Sequence, residues 1–157
     1  MKKYDFWDEL RSLREEFPEA SWGYLENEYS LFGLSPYDFL HGSCDIFAEV
    51  LHEKYGYTLE YAECLGLLHA YCVKELDGHT YYIDVRGICS DYDEFLEDFK
   101  EYFIEKKFSI ARLDSIPERY IHSDNICRER SAAKAIIEYY NYYGPDKIEL
   151  MHKEKTA

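Results

Sequence analysis

Between residues 42 and 85 the period of the apolar residues changes once, and that change constrains what this chain can fold into more than anything else in it. Up to Tyr55 the spacing is helical: Phe47, Val50, Leu51 and Tyr55 fall on one stripe, which Ile46 widens. Ser43 or Asp45 is placed to satisfy the first amides of a helix over residues 42–55, and Gly56 is placed to stop it. From Thr58 onward the helical period is gone. Residues 67–73 have the length and composition of a strand, Asp77-Gly78 is a strong hairpin signal, and residues 79–85 return. Val85-Arg86-Gly87 is expected to leave the sheet. A helix feeding a hairpin buries its apolar stripe on the sheet, so the expected class is α+β: one helix packed on a small antiparallel sheet, with further helices around it.

The flanks are less distinctive. Residues 4–17 read as an amphipathic helix with Phe6, Leu10, Leu13 and Phe17 on one face and Pro18 after it. A short helix over residues 23–31 and a turn at Ser35-Pro36-Tyr37-Asp38 follow. Downstream, Ser90 or Asp91 caps a helix to about residue 103 with Phe95, Leu96, Phe99 and Phe103 inward. A strand is expected over 108–113 and a helix over 125–142, carrying Ala132, Ala135, Ile136 and Tyr139 and ended by Gly144-Pro145. The tail 151–157 is polar and expected to fray. With no repeat, low-complexity tract or linker, 157 residues are read as one domain, with a core over about 40–113 and helical flanks over 1–39 and 114–148.

Charge and cysteine usage exclude several classes of function. A formal net charge of −14 disfavours nucleic acid and anionic membrane as partners, because phosphate binding needs clustered Lys and Arg. It suits solubility or a basic protein partner. No apolar run approaches a membrane span, and Met-Lys-Lys-Tyr-Asp-Phe-Trp lacks the apolar core of a signal peptide, so a cytoplasmic location is expected. Five cysteines, unevenly spaced and without a Cys-x-x-Cys pair, fit neither a disulfide framework nor a zinc site, and reduced thiols are expected. No metal or cofactor is called for: there is no ligand set at helical spacing, no calcium loop and no glycine-rich phosphate loop.

The chemistry concentrates in three residues met in order: Cys44 where the helix opens, His69 on the first strand and Asp84 on the return strand. A thiol nucleophile needs a base to take its proton and a carboxylate to orient that base. At a helix start, unpaired amides and the dipole favour thiolate and can also hold an oxyanion. The pKa of Cys44 is therefore expected to be depressed. A two-residue turn at Asp77-Gly78 would set Leu76 opposite His79 and His69 opposite Arg86, with Asp84 the diagonal neighbour of His69 on one face. Gly42, Ser43 and His41, beside the helix start, are the substrate-binding candidates; Gly42 permits close backbone approach. His79 rivals His69 as base, being nearer Asp84 in sequence, but it lies beside the turn. Cys64, Cys72, Cys89 and Cys127 read as small buried hydrophobes, and His52 and His122 carry no assigned role. Replacing Asp84 with Asn is expected to slow a reaction while changing the fold little.

Gly42-Ser43-Cys44-Asp45-Ile46-Phe47-Ala48, ending at Tyr55-Gly56-Tyr57, resembles the nucleophile helix of the transglutaminase-like superfamily. His69-Ala70-Tyr71-Cys72-Val73, Asp77-Gly78 and Tyr81-Tyr82-Ile83-Asp84 are similar to its His strand, turn and Asp strand, a core shared with arylamine N-acetyltransferases. Asp45 stands where that family often has an aromatic residue, and Val85 where a proline is common. The resemblance covers roughly residues 40–90. It implies a papain-like core and a Cys44, His69, Asp84 triad in a hydrolase or acyltransferase acting on a peptide bond or glutamine side chain of a protein or peptide, basic where the acidic surface selects it. The alternative from the same residues is a non-catalytic acidic interaction protein or inhibitor, of phage or mobile-element type, on a degenerate core.

Overall fold

The computed structural model describes Phe39 and residues 42–64, 67–96, 109–113 and 126–157. The helices expected over 4–17 and 23–31, the turn at Ser35-Pro36, and His41 and His122 lie outside these residues. In chain order the elements are α1 (Cys44–Tyr55), β1 (Thr58–Cys64), β2 (Leu67–Leu76), β3 (His79–Asp84), β4 (Gly87–Cys89), α2 (Tyr92–Leu96), β5 (Ser109–Leu113), α3 (Ile126–Tyr139) and α4 (Pro145–Thr156). The strands form one antiparallel sheet in the order β4-β3-β2-β1-β5. The α+β class follows directly.

Local chemistry explains most of the boundaries. Gly56 ends α1 in the left-handed region at φ 73°, its N–H donating to the His52 carbonyl at 2.8 Å. The start of α1 departs from expectation: Ser43 occupies the capping position without a side-chain cap, because its hydroxyl donates to Glu129 of α3 at 2.9 Å instead. At the hairpin tip Asp77 and Gly78 both take positive φ, 50° and 79°, as a type I′ turn demands. That turn sets Leu76 opposite His79 and carries the register through to Cys72 opposite Ile83.

Three expectations are corrected. Val85-Arg86-Gly87 does not leave the sheet: Val85 and Arg86 make a second tight turn, and Gly87–Cys89 returns as an edge strand with Asp84 opposite Gly87. The tail is not frayed. Gly144-Pro145 is not the end of a helix but the start of α4, since proline suits the first helical position. Residues 140–144 are irregular, so α3 is shorter than the spacing implied. Ile148 is buried and Met151 packs against the core. His152 holds α4 to the hairpin, with Nδ1 2.7 Å from the Tyr81 hydroxyl and Nε2 3.2 Å from Asp77.

Both sheet faces are covered where the hairpin is central. Cys44, Phe47, Ala48 and Leu51 of α1 join Leu59, Ala70, Cys72, Tyr81 and Ile83 in the main core. Tyr71, Val73 and Ala62 face the other way, under Phe95 and Leu96 of α2. A strand buried on both faces loses its polar alternation, which is why Ala70-Tyr71-Cys72-Val73 reads as a continuous apolar run. Ala132, Ala133, Ile136 and Ile137 of α3 complete the core against α1. Among the described residues, no helix is long and apolar enough to cross a membrane.

Candidate active site

Cys44 opens α1, and its sulfur lies against β2, where the Ala70 N–H donates to Sγ at 3.4 Å. That N–H belongs to the peptide joining His69 to Ala70. Alternation along β2 sends Ala70 toward α1 and His69 toward α2, so the sulfur meets the strand at its backbone, beside the histidine. His69 Nε2 lies 3.0 Å from Asp84 Oδ2, with His69 2% and Asp84 3% exposed. The structure thus joins His69 to Asp84 on the α2 face of the sheet and sets the Cys44 sulfur on the α1 face, against the backbone of the same strand. The rival base does not join them. His79 sits by the hairpin tip, its ring 5.3 Å from that of His152.

The surroundings of Asp84 hold the residue that sequence reasoning missed. Arg86 is fully buried and folds back onto the carboxylate: Nε donates to both oxygens at 3.1 Å and Nη2 to Oδ2 at 2.7 Å. The Arg86 backbone N–H adds a bond to Oδ1 at 2.8 Å. Nη2 also donates to the Phe95 carbonyl at 3.0 Å, and the guanidinium lies 5.0 Å from the Phe95 ring centre. The His69 ring packs against the same Phe95 at 5.7 Å and against Tyr71 at 5.6 Å. Phe95 therefore touches both the base and the arginine. The turn carrying Arg86 is held from outside by Tyr143, whose hydroxyl donates to the Val85 carbonyl at 2.7 Å. The sequence did contain a signal: an arginine inside Tyr-Ile-Asp-Val-Arg-Gly-Ile-Cys, a run apolar enough to be buried, has to be paired.

Electrostatics separate the members of the cluster. Burial by itself would raise the Asp84 pKa, but the Arg86 guanidinium and the His69 hydrogen bond outweigh it and hold the carboxyl well below the usual carboxylate range. Asp84 is therefore an acceptor, and the proton of the His69–Asp84 bond belongs to Nε2. For Cys44 the expected depression is overturned. Burial pushes its thiol up to about 12, and the charges of Asp45 and Asp84 push the same way, against lowering by backbone N–H groups of Ala70 and Asp45. Burial opposes the stabilisation of thiolate by a helix start, and here Cys44 is only 6% exposed with acids beside it.

The substrate-binding candidates divide. Gly42 is exposed at the helix entrance, Ser43 is buried with its hydroxyl on Glu129, and His41 lies outside the described residues. Cys72 and Cys89 are buried thiols donating to the carbonyls of Ala48 at 3.1 Å and Asp91 at 3.2 Å, the structural role expected of them. His52 gains a role in placing the end of α1, with Nδ1 against the Tyr57 carbonyl. Among the described residues, no group of three or more His, Cys, Asp or Glu is arranged to hold a metal ion. No protein-family model matches the chain, and comparisons with curated proteins and with solved structures find no significant match.

Proposed function

We propose that the protein is a cysteine-dependent hydrolase or acyltransferase with a papain-like, transglutaminase-type core, acting on an amide of a protein or peptide. The observation that supports this best is the His69 to Asp84 hydrogen bond formed directly behind the strand peptide on which the Cys44 sulfur rests. With Nε2 committed to Asp84, proton exchange with sulfur falls to Nδ1, which has to reach it past the strand backbone on which the sulfur rests. Cys44 Sγ attacks the carbonyl carbon, forming the S–C bond while its proton passes to His69. The carbonyl electrons move onto oxygen, where the Cys44 amide at the helix start helps hold them. As the carbonyl re-forms, the C–N bond breaks and His69 protonates the leaving amine. Water or an amine then attacks the thioester with His69 taking its proton; the S–C bond breaks, the acyl product leaves and His69 returns the proton to the Cys44 sulfur. The surface charge favours a basic substrate.

The test is intact-protein mass spectrometry of the chain incubated with a panel of glutamine- and lysine-containing peptides. A thioester adduct on Cys44, absent in Cys44→Ala, is the expected result. Peptide turnover that Cys44→Ala leaves unchanged would overturn the reading. One observation favours the second reading, an acidic interaction protein: the thiol is buried and held protonated. That reading expects binding of a basic protein that survives Cys44→Ala and weakens steeply with salt.

A further inference from the structure

Behind His69 lies a buried charge pair that the proton transfers above do not use. An isolated carboxylate hydrogen-bonded to a buried histidine stabilises the imidazolium, and so draws a cysteine–histidine pair toward thiolate and imidazolium. Here Asp84 is not isolated. Its charge is met by the Arg86 fork, so His69 faces a pair whose charges cancel. Tyr71 of β2 and Phe95 of α2 present uncharged rings to His69, while Asp45 of α1, buried beside Cys44, disfavours thiolate.

We propose that Arg86 is a positioning residue that keeps the resting site uncharged at its reacting atoms: clamped on Asp84, it leaves His69 a neutral base protonated on Nε2 and Cys44 a thiol, and the proton crosses only as substrate is attacked. This deepens the cysteine-enzyme reading and rests on it for the word attack; the protonation state itself does not depend on activity. A thiol at rest holds little thiolate, so any electrophile is attacked at neutral pH only as fast as His69 takes the proton during the attack itself. Lysine would keep the charge that cancels Asp84 but not the two-point grip of the fork.

The experiment is an imidazole nitrogen NMR titration of 15N-histidine-labelled full-length protein, from about pH 5 to about pH 9, in wild type, Cys44→Ala, Arg86→Gln and Arg86→Lys. In wild type near pH 7 the expected signals are those of a neutral ring with a protonated Nε2. Cys44→Ala is expected to leave the His69 midpoint nearly unmoved, whereas loss of a thiolate partner would drop it by about one unit or more. Arg86→Gln is expected to raise the midpoint by about one unit or more, and Arg86→Lys to restore most of the wild-type value. An imidazolium at neutral pH in wild type, or a large drop in Cys44→Ala, overturns the proposal even if Arg86→Gln does not fold. A folded Arg86→Gln with an unmoved midpoint also overturns it. Absence of any Cys44 adduct in the peptide assay would instead defeat the enzyme reading and leave these protonation states standing.

Discussion

Asp84 keeps its charge in the interior because donors reach it from two directions, the Arg86 side chain and backbone two residues on, and His69 across the sheet. That double attachment changes what a substitution does. Asp84→Asn should lower turnover by about 10²- to 10⁴-fold, as expected for a misoriented base, measured on any peptide that labels Cys44. It should also destabilise the protein by about 3–5 kcal/mol in urea unfolding, because Arg86 loses its counter-charge in a buried site. The sequence alone pointed to little change in fold; the buried arginine is what it did not display. The pH dependence has a definite sign. A carboxyl whose folded pKa is depressed contributes stability above its unfolded value of about 3.9, and loses it as pH falls through the folded value. The stability gap between wild type and Asp84→Asn should therefore narrow as pH drops below about 4. A gap that stays constant to acid pH would show that the pair contributes nothing.

Elements position these residues through turns and tethers, and the turns are where sequence was most and least informative. Asp77-Gly78 was legible because both residues of a type I′ turn need positive φ, a demand that few residue pairs meet. Gly87 makes a similar demand at φ 116°, but nothing flanking it alternates in a way that announces an edge strand, so β4 was not seen. Gly87→Ala places a Cβ only in ordinary contact with Tyr142, the nearest atoms lying at 3.9 and 4.0 Å, so its effect is conformational. It should cost about 1–3 kcal/mol, seen as a lower Tm, and should disturb the turn that carries Arg86. The last helix was hidden for a related reason: a Gly-Pro pair reads as a helix stop, yet here it only starts one, and contacts that hold α4 come from distant residues, Tyr81 and Asp77. His152→Ala should therefore raise amide exchange in Pro145–Thr156 while leaving Cys44–Tyr55 protected. Equal protection of α4 in both proteins would contradict this tether. The placement of Cys44 at a helix start and of His69 and Asp84 on paired strands was readable because the stop at Gly56 and the turn at Asp77-Gly78 fix the order of the elements. Arg86 and Phe95 were hidden because their roles arise from packing across the sheet.

At the scale of the whole molecule, the candidate site spans the sheet, with Cys44 on the α1 face and His69 on the face that α2 covers, and it belongs to a strongly acidic chain. Burial and negative charge act together on the sulfur, holding the thiol protonated until something removes its proton. The central claim is that His69 does so. The most direct measurement is the rate of Cys44 alkylation by iodoacetamide across pH, resolved by peptide mass spectrometry, in wild type and His69→Ala. The account predicts that wild-type Cys44 reacts at neutral pH with a limb set by the ionisation of His69, and that His69→Ala retains only a rise toward the thiol's own ionisation at about 12. Superimposable profiles in the two proteins, both climbing only toward that upper limit, would contradict it.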